Sequence, residues 1–268
     1  MERVALRVAL APVLTVESND FGEAEFEAIY NVLNYGIDFT FGTKKEPKQA
    51  LDTVHRIILT GNAIKQIEQG ELSELTQGDF ALGPKAVEDY KKEWDPEWLE
   101  EYEKLPPNSQ RRFDYVYIYR LIRAYGNQLA GLRDILAEVI KNAQESEDGQ
   151  VIVSNRHQVI TWDPRIDIGA DSPPCFQRAW IRYYHPLMVD IHLSWRSRNL
   201  RHGWRTNLIG GTAMFNKVVF APNNCRIVRI IDDSDSMHIM KGDIQSSQKI
   251  LSKAENLYPE VVRRLRTY

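Results

Sequence analysis

The amino-acid sequence predicts one α/β or α+β domain, and three observations carry that reading. Helical and strand-like apolar spacings mix along the chain with no clean linker, internal repeat or low-complexity stretch. The hydrophobic content, 43%, is that of a globular protein. The length, 268 residues, suits one large domain, taken as residues 1–268.

Element by element, the alternation of Val4, Leu6, Val8 and Leu10 predicts a strand. Phe21 to Leu33 and Ala50 to Leu59 show helical apolar spacing. Residues 62 to 112, rich in Glu, Gln, Lys and Pro, read as short helices and loops covering a surface, broken at Pro106-Pro107-Asn108-Ser109. Gln128 to Lys141 places Leu129, Leu132, Ile135, Leu136 and Ile140 on one helical face. Val151 to Val153 and Gln158 to Trp162 predict strands, the second ended by Asp163-Pro164. Phe176 to Tyr184 predicts a strand, His185-Pro186 a turn, and Leu187 to Arg198 a strand with Val189, Ile191, Leu193 and Trp195 on one face. A helix is expected from Leu200, with Asn199 as its N-cap. Ile227 to Ile231 predicts another strand, and Gln245 to Arg266 is mostly helical.

Composition excludes several function classes. Lys plus Arg number 34 against 37 Asp plus Glu, a net charge of −3, so a strongly basic nucleic-acid binder is not expected. A local basic pocket for one phosphorylated ligand stays open. Two cysteines cannot form a disulfide framework, which points to a reducing compartment. No run approaches the ~18 apolar residues of a membrane span. At the start, Arg7 and Pro12 interrupt what could pass for a signal peptide. A soluble, cytoplasmic protein with neither membrane nor nucleic acid as partner is expected.

The chain has no G-x-S-x-G, Walker A, G-x-G-x-x-G, H-E-x-x-H or C-x-x-C motif. Its six histidines show no metal-ligand spacing, so no metal is expected. Three fragments do suggest chemistry. Pro173-Pro174-Cys175 holds a thiol on a stiff backbone just before a strand, as a nucleophile requires, although an isolated cysteine is more often a small buried hydrophobe. Cys225 has no such setting and reads as structural. Trp195-Arg196-Ser197-Arg198-Asn199 brings arginine, a hydroxyl and helix N-terminal amides together, the ingredients of an anion site, but also of an ordinary solvated strand end. Asn207 lies one turn past Gly203 on the same helical face, and its amide carries both a donor and an acceptor with which to read a base edge.

Together these fragments resemble the thymidylate synthases and their pyrimidine-nucleotide hydroxymethylase relatives. The family pattern is a Pro-Cys nucleophile, R-S-x-D about twenty residues later, and Asn eight residues after that Asp. Here Pro174-Cys175 is followed by Arg196-Ser197-Arg198-Asn199, and Asn207 lies eight beyond Asn199. The W-R-S-R run is most similar to the archaeal-type branch. Ile160-Thr161-Trp162-Asp163-Pro164, Asp235-Ser236-Met237-His238-Ile239 and Phe113-Asp114-Tyr115-Val116-Tyr117 resemble further family motifs, so the likeness covers roughly residues 113 to 245.

The resemblance implies a mixed β-sheet flanked by helices, and a chemistry. Cys175 would attack C6 of a pyrimidine ring, activating C5 to capture a methylene group from 5,10-methylenetetrahydrofolate. Arg196 and Ser197 would hold the phosphate of a pyrimidine nucleoside monophosphate, with Arg196 also favouring the thiolate. Asn207 would bond the base edge and His238 the sugar hydroxyl. Asn199 and Gly203 stand at cofactor-contacting positions. The family forms homodimers in which partner arginines reach the phosphate; only Arg156 can be carried over to that role.

Departures from the pattern mark a divergent member. Asn199 replaces an Asp, Met240 replaces a Tyr, and the general-acid/base Glu cannot be placed, because Tyr119 stands where the archaeal-type branch has Glu. The closing C-terminal segment is unrecognisable in Glu260 to Tyr268. Three readings follow, in order: thymidylate synthase (dUMP to dTMP), a pyrimidine nucleotide C5-hydroxymethylase acting on dUMP, dCMP or CMP, and a non-catalytic nucleotide-binding homologue.

Overall fold

The computed structural model describes residues 10–42, 46–70, 84–106, 116–146 and 155–266, with side chains 84–87 excepted. Its elements are β1 (Val13–Ser18), α1 (Phe21–Tyr35), β2 (Ile37–Gly42), β3 (Pro47–Thr60), α2 (Asn62–Gln69), α3 (Pro84–Lys92), α4 (Pro96–Glu103), α5 (Tyr117–Ile122) and α6 (Gln128–Glu145). There follow β4 (Gln158–Ile160), α7 (Pro164–Asp167), β5 (Phe176–Tyr184), β6 (Met188–Trp195), β7 (Arg198–Asn199), α8 (Arg205–Phe215), β8 (Arg226–Met240), α9 (Ile244–Leu257) and α10 (Pro259–Leu265). The expected strand around Val4 to Val8, the one at Val151 to Val153, and Pro107-Asn108-Ser109 lie outside the described residues.

An eight-stranded mixed sheet runs β1-β3-β8-β6-β5-β4, with β2 added to β3 and β7 to β8. β1 on β3 and β6 on β8 are parallel pairs; β3 on β8 and β5 on β6 are antiparallel. The fold class is the expected one.

Local chemistry accounts for most elements. Asp20 caps α1 by accepting from the Glu23 amide, and Asn127 caps α6 by accepting from the Ala130 amide. The apolar stripe of α6 buries Leu129, Leu132, Leu136 and Ile140, whereas Ile135 turns outward. One expectation is overturned. Ala50 to Leu59 is not helix but the middle of β3. Its run contains Thr53, Val54, Ile57 and Ile58, whose branched side chains favour extended backbone. Strands pair along both of its sides, burying Ala50, Thr53, Ile57 and Leu59. β8 also extends well past Ile231, so the Asp235 to Ile239 motif lies on a strand.

Residues 84 to 106 do more than cover a surface. Trp94, just after α3, is buried against Tyr117, Phe176 and Trp195, with ring centroids 4.9, 5.8 and 6.4 Å away. Helix α8 comes so close that a Cβ at Gly210 would stand 2.4 Å from Trp94 Cδ1; only glycine permits this approach.

The middle of the sheet is organised by Asp232 on β8, which has no exposed surface. Arg198 Nη1 donates to both of its carboxylate oxygens at 2.5 Å, and the indole N–H groups of Trp195 and Trp204 donate at 2.9 Å each. The Arg198 guanidinium also stacks 3.8 Å from the Trp195 ring centroid. Asp232→Asn leaves Arg198 buried without its counter-charge. It is expected to cost about 3–5 kcal/mol. In a chain of this size that lowers Tm by roughly 10 °C, as calorimetry or a circular-dichroism melt would measure; an unchanged Tm would contradict the role given to this carboxylate.

Candidate active site

Cys175 sits half-buried at the mouth of β5, and Arg196 leaves β6 beside it. The antiparallel ladder pairs Phe176 with Trp195, and the Arg196 amide then donates to the Cys175 carbonyl at 2.9 Å. The Arg196 side chain bends back over the same loop. Nε donates to the Pro174 carbonyl at 3.1 Å, Nη2 donates to the Pro173 carbonyl at 2.6 Å, and Nη2 lies 3.8 Å from Cys175 Sγ. The two prolines limit the loop, the guanidinium ties it down, and the buried Phe176 and Trp195 rings, 4.7 Å apart, form its floor. A thiol is thereby held beside a permanent cation.

The rest of the Trp195 to Asn199 segment divides its labour. Ser197 is half-buried in the turn between β6 and β7. Arg198 points inward to Asp232, so only Arg196 of the two arginines borders the thiol. Asn199 does cap the following helix: its Oδ1 accepts from the Arg201 and His202 amides at 2.9 and 3.0 Å. Those amides, which the sequence offered to an anion, are therefore engaged, and a π-helical turn, Leu200–Trp204, leads into α8. His202 of that turn meets Asp243 at 2.9 Å, and Arg205, the first residue of α8, is bonded to the buried Glu25.

His238 on β8 is the cross-strand partner of Asn199 on β7 and of Asp52 on β3. It is buried, 5.0 Å from the Phe41 ring, and its Nδ1 has no hydrogen-bond partner among the described residues. Burial pushes its pKa down to about 4, so the ring is neutral at pH 7. Asp52 accepts from Ser236 Oγ at 2.6 Å, and burial raises its pKa.

Asn207 lies on α8 and is buried. Gly203 stands one turn earlier, where a Cβ would come within 3.4 Å of Asn207 Nδ2. Sequence reasoning missed Tyr90, whose hydroxyl donates to Asn207 Oδ1 at 2.6 Å. Its signal was the Tyr90-to-Trp94 spacing of four, one helical turn of aromatics inside a charge-rich stretch. Arg156 is exposed just before β4. The neighbouring Asn155 carbonyl accepts from Trp180 Nε1 at 2.8 Å, tying that segment to β5. Tyr119 is 42% exposed on α5, and its neighbour Arg120 is bonded to Asp167. Cys225 is buried, and its thiol is pushed up to about 11, which suits a structural role. Among the described residues no cluster of His, Cys, Asp or Glu could hold a metal ion, and no helix is long and apolar enough to cross a membrane.

No family model matches the chain. A curated protein of Methanothermobacter marburgensis named "Putative thymidylate synthase" is 26% identical over 159 residues, 59% of this chain and 66% of that protein. A protein of the same name from Methanothermobacter thermautotrophicus is 25% identical over the same shares. The match thus spans just under two thirds of these relatives' length. Among solved structures, thermostable thymidylate synthase A from Bacillus subtilis superposes with a TM-score of 0.54 at 16% identity, covering 87% of this chain and 84% of that one.

Two buried histidines give stability a pH dependence. His55, on β3 beside Thr53, is buried like His238, and burial lowers its pKa to about 4 as well. A histidine with a folded pKa below its unfolded value takes up protons on unfolding. Its contribution is therefore complete above pH ~6.5 and is lost as pH falls toward 4. In that window each histidine should lower unfolding free energy by about 1.4 kcal/mol per pH unit. Urea titrations from pH 8 to 4 should show this slope, and His55→Asn should reduce it by about the same amount per unit; an unaltered slope would contradict the assignment.

Proposed function

We propose that this chain, a divergent thymidylate synthase-like protein by fold and by sequence, transfers one carbon to C5 of a pyrimidine nucleoside monophosphate. The observation that carries this is the Cys175 thiol held 3.8 Å from the Arg196 guanidinium. A separate helix, α8, carries the buried Asn207 amide. A pure binder has little need of a thiol so placed.

In this reading Cys175 Sγ adds to C6 of the ring, and the electron pair of the C5–C6 double bond moves to C5. C5 would then bond the incoming one-carbon unit and lose its proton, the unit's bond to the carrier nitrogen would break, and addition of hydride (or water, for a hydroxymethyl product) to the transferred carbon would accompany breakage of the Cys–C6 bond, which restores the ring. Arg196 is the counter-charge for the thiolate. Its outer guanidinium edge, with Ser197, receives the phosphate, while its inner donors keep the Pro173 and Pro174 carbonyls in place. His238, neutral at pH 7, is the group the resemblance assigns to the sugar hydroxyl. Asn207 reads the base edge.

The carrier inferred from the resemblance is 5,10-methylenetetrahydrofolate, which supplies the methylene group and, for a methyl product, the hydride. The site fits a flat reduced pterin in two respects. Gly203 leaves open the space that a side chain would fill beside Asn207. Asn199 retains Nδ2 as a donor for a ring carbonyl, its Oδ1 being held by two backbone amides. That second feature also favours an alternative product. An Asp at this place could cap the helix with one oxygen and accept with the other, whereas Asn199 cannot. A C5-hydroxymethylase, in which water instead of hydride completes the reaction, is therefore the second reading, ahead of a non-catalytic nucleotide binder.

A shared-site homodimer follows from the same reading. One face of the sheet carries exposed Arg56, Arg178 and Arg182 among strands β3 and β5, and Arg156 stands exposed at its β4 edge. By the resemblance, Arg156 is the arginine that would reach a partner's phosphate.

Incubation with the carrier and dUMP, dCMP, UMP or CMP, followed by mass analysis, decides the reaction. A methylated nucleotide with dihydrofolate is expected, a hydroxymethyl product would select the alternative, and no product would remove both. Cys175→Ala should lose turnover by a factor of about a thousand or more, and a 5-fluoropyrimidine nucleotide plus carrier should label Cys175. Label on Cys225 would overturn the assignment. Arg196→Lys loses the planar fork and should both raise nucleotide KM and lower kcat. Mixing inactive Cys175→Ala and Arg156→Glu chains should restore part of the activity if sites are shared; a monomer by light scattering would contradict the dimer.

A further inference from the structure

We propose that Tyr90 is a specificity-determining positioning residue, which sets the choice between uracil and cytosine by locking the orientation of the Asn207 amide. The inference rests on the reading that Asn207 meets the base edge. A carboxamide has two orientations of nearly equal shape, related by a half-turn that exchanges its oxygen and its NH₂ group. In one, it offers a carbonyl where the other offers N–H. The uracil edge presents an N3–H donor beside the O4 acceptor; the cytosine edge presents an N3 acceptor beside a 4-amino donor. A freely turning amide therefore matches either base, and a locked one matches only one of them.

The lock is visible in the geometry. Tyr90 Oη is 2.6 Å from Asn207 Oδ1, a separation that suits O–H···O and is tighter than the range for N–H···O. Since a carbonyl only accepts, the phenol donates. Turning the amide over would put Nδ2 at that distance. Retreat is prevented just past the end of α3 and one turn further along α8. Trp94 follows Tyr90 by four residues, Gly210 follows Asn207 by three, and these two are in contact. A Cβ at Gly210 would overlap the Trp94 ring at 2.4 Å, so α8 already packs directly on the segment that follows α3. The Trp94 ring is itself held by Tyr117, Phe176 and Trp195. The Tyr90-to-Asn207 distance is thus fixed by packing rather than by the hydrogen bond alone. On its other side, Asn207 Nδ2 lies over the bare Cα of Gly203. Oδ1 keeps a second lone pair and Nδ2 keeps its hydrogens, so the fixed amide can still serve a ligand.

Tyr90→Phe removes the hydroxyl and keeps the ring. Calorimetric binding of dUMP and dCMP, together with kcat/KM for each, should show the wild type preferring dUMP. In Tyr90→Phe the ratio should fall roughly tenfold toward one. The change should come mainly from tighter binding and lower KM for dCMP, with kcat on dUMP and Tm little altered. The same substitution in an Asn207→Asp background supplies the control, because either oxygen of a carboxylate accepts from Tyr90 and no orientation remains to be fixed; there the ratio should not move. An unchanged ratio in Tyr90→Phe, or an equal change in the Asn207→Asp background, would overturn the role of Tyr90 alone. Failure of the wild type to bind either nucleotide would overturn the site reading and this inference with it.

Discussion

The carboxylate of Asp232 is the point on which the geometry of the site depends. It lies within β8, in the middle of the sheet, and gathers Arg198, Trp195 and Trp204 from three successive turns of chain. Isolated in an apolar interior, each of these groups would be costly: an unpaired buried charge, or an indole N–H without an acceptor. Together they satisfy one another only when β6, β7 and the π-helical turn take the path observed. Such a cluster acts less as a source of net stability than as a condition on geometry, because desolvation offsets much of its Coulombic gain.

That path has two consequences. With Arg198 turned inward, Arg196 is left at the surface end of β6, where it closes over the Pro173 to Cys175 loop. The same segment lays Asn199 beside His238 by pairing β7 with β8. The thiol, the guanidinium, the imidazole and the helix cap are thus placed by the ends of four strands, and the rigidity of the sheet is passed to the side chains. Asn207 arrives separately on α8, whose start is anchored to α1 by the buried Arg205 and Glu25 pair.

The helices on this side do not merely shield the sheet. Trp94 fills the angle between α8 and the strand ends, and through Gly210 it sets how near α3 can come. One aromatic cluster therefore supports both the Cys175 loop, through Phe176 and Trp195, and the Asn207 amide, through the segment that carries Tyr90. Coupling of this sort makes the site stiff: an added methyl group at Gly210 would disturb both halves.

Local patterns were legible wherever neighbours in sequence decide the outcome. The capped helices at Phe21 and Gln128, the strands at Phe176 and Met188, the His185-Pro186 turn and the Asn199 cap all follow from spacing and from cap and turn chemistry. The proximity of Cys175 and Arg196 was implied by the family resemblance, and a short antiparallel connection produces it. Long-range pairing was not legible. Ala50 to Leu59 has apolar residues that suit a helix, and it became a strand because β1 and β8 lie ready on either side. Of the two arginines in Arg196-Ser197-Arg198, nothing local says which turns inward; Asp232, 34 residues beyond Arg198, decides it. Nor could Tyr90 be connected with Asn207 across 117 residues of chain. The sequence by itself determined which chemical groups are present and the short-range geometry that holds them. Tertiary structure decided which were spent on the interior and which were left to the site, because burial, unlike periodicity, is a property of contacts that only the folded chain makes.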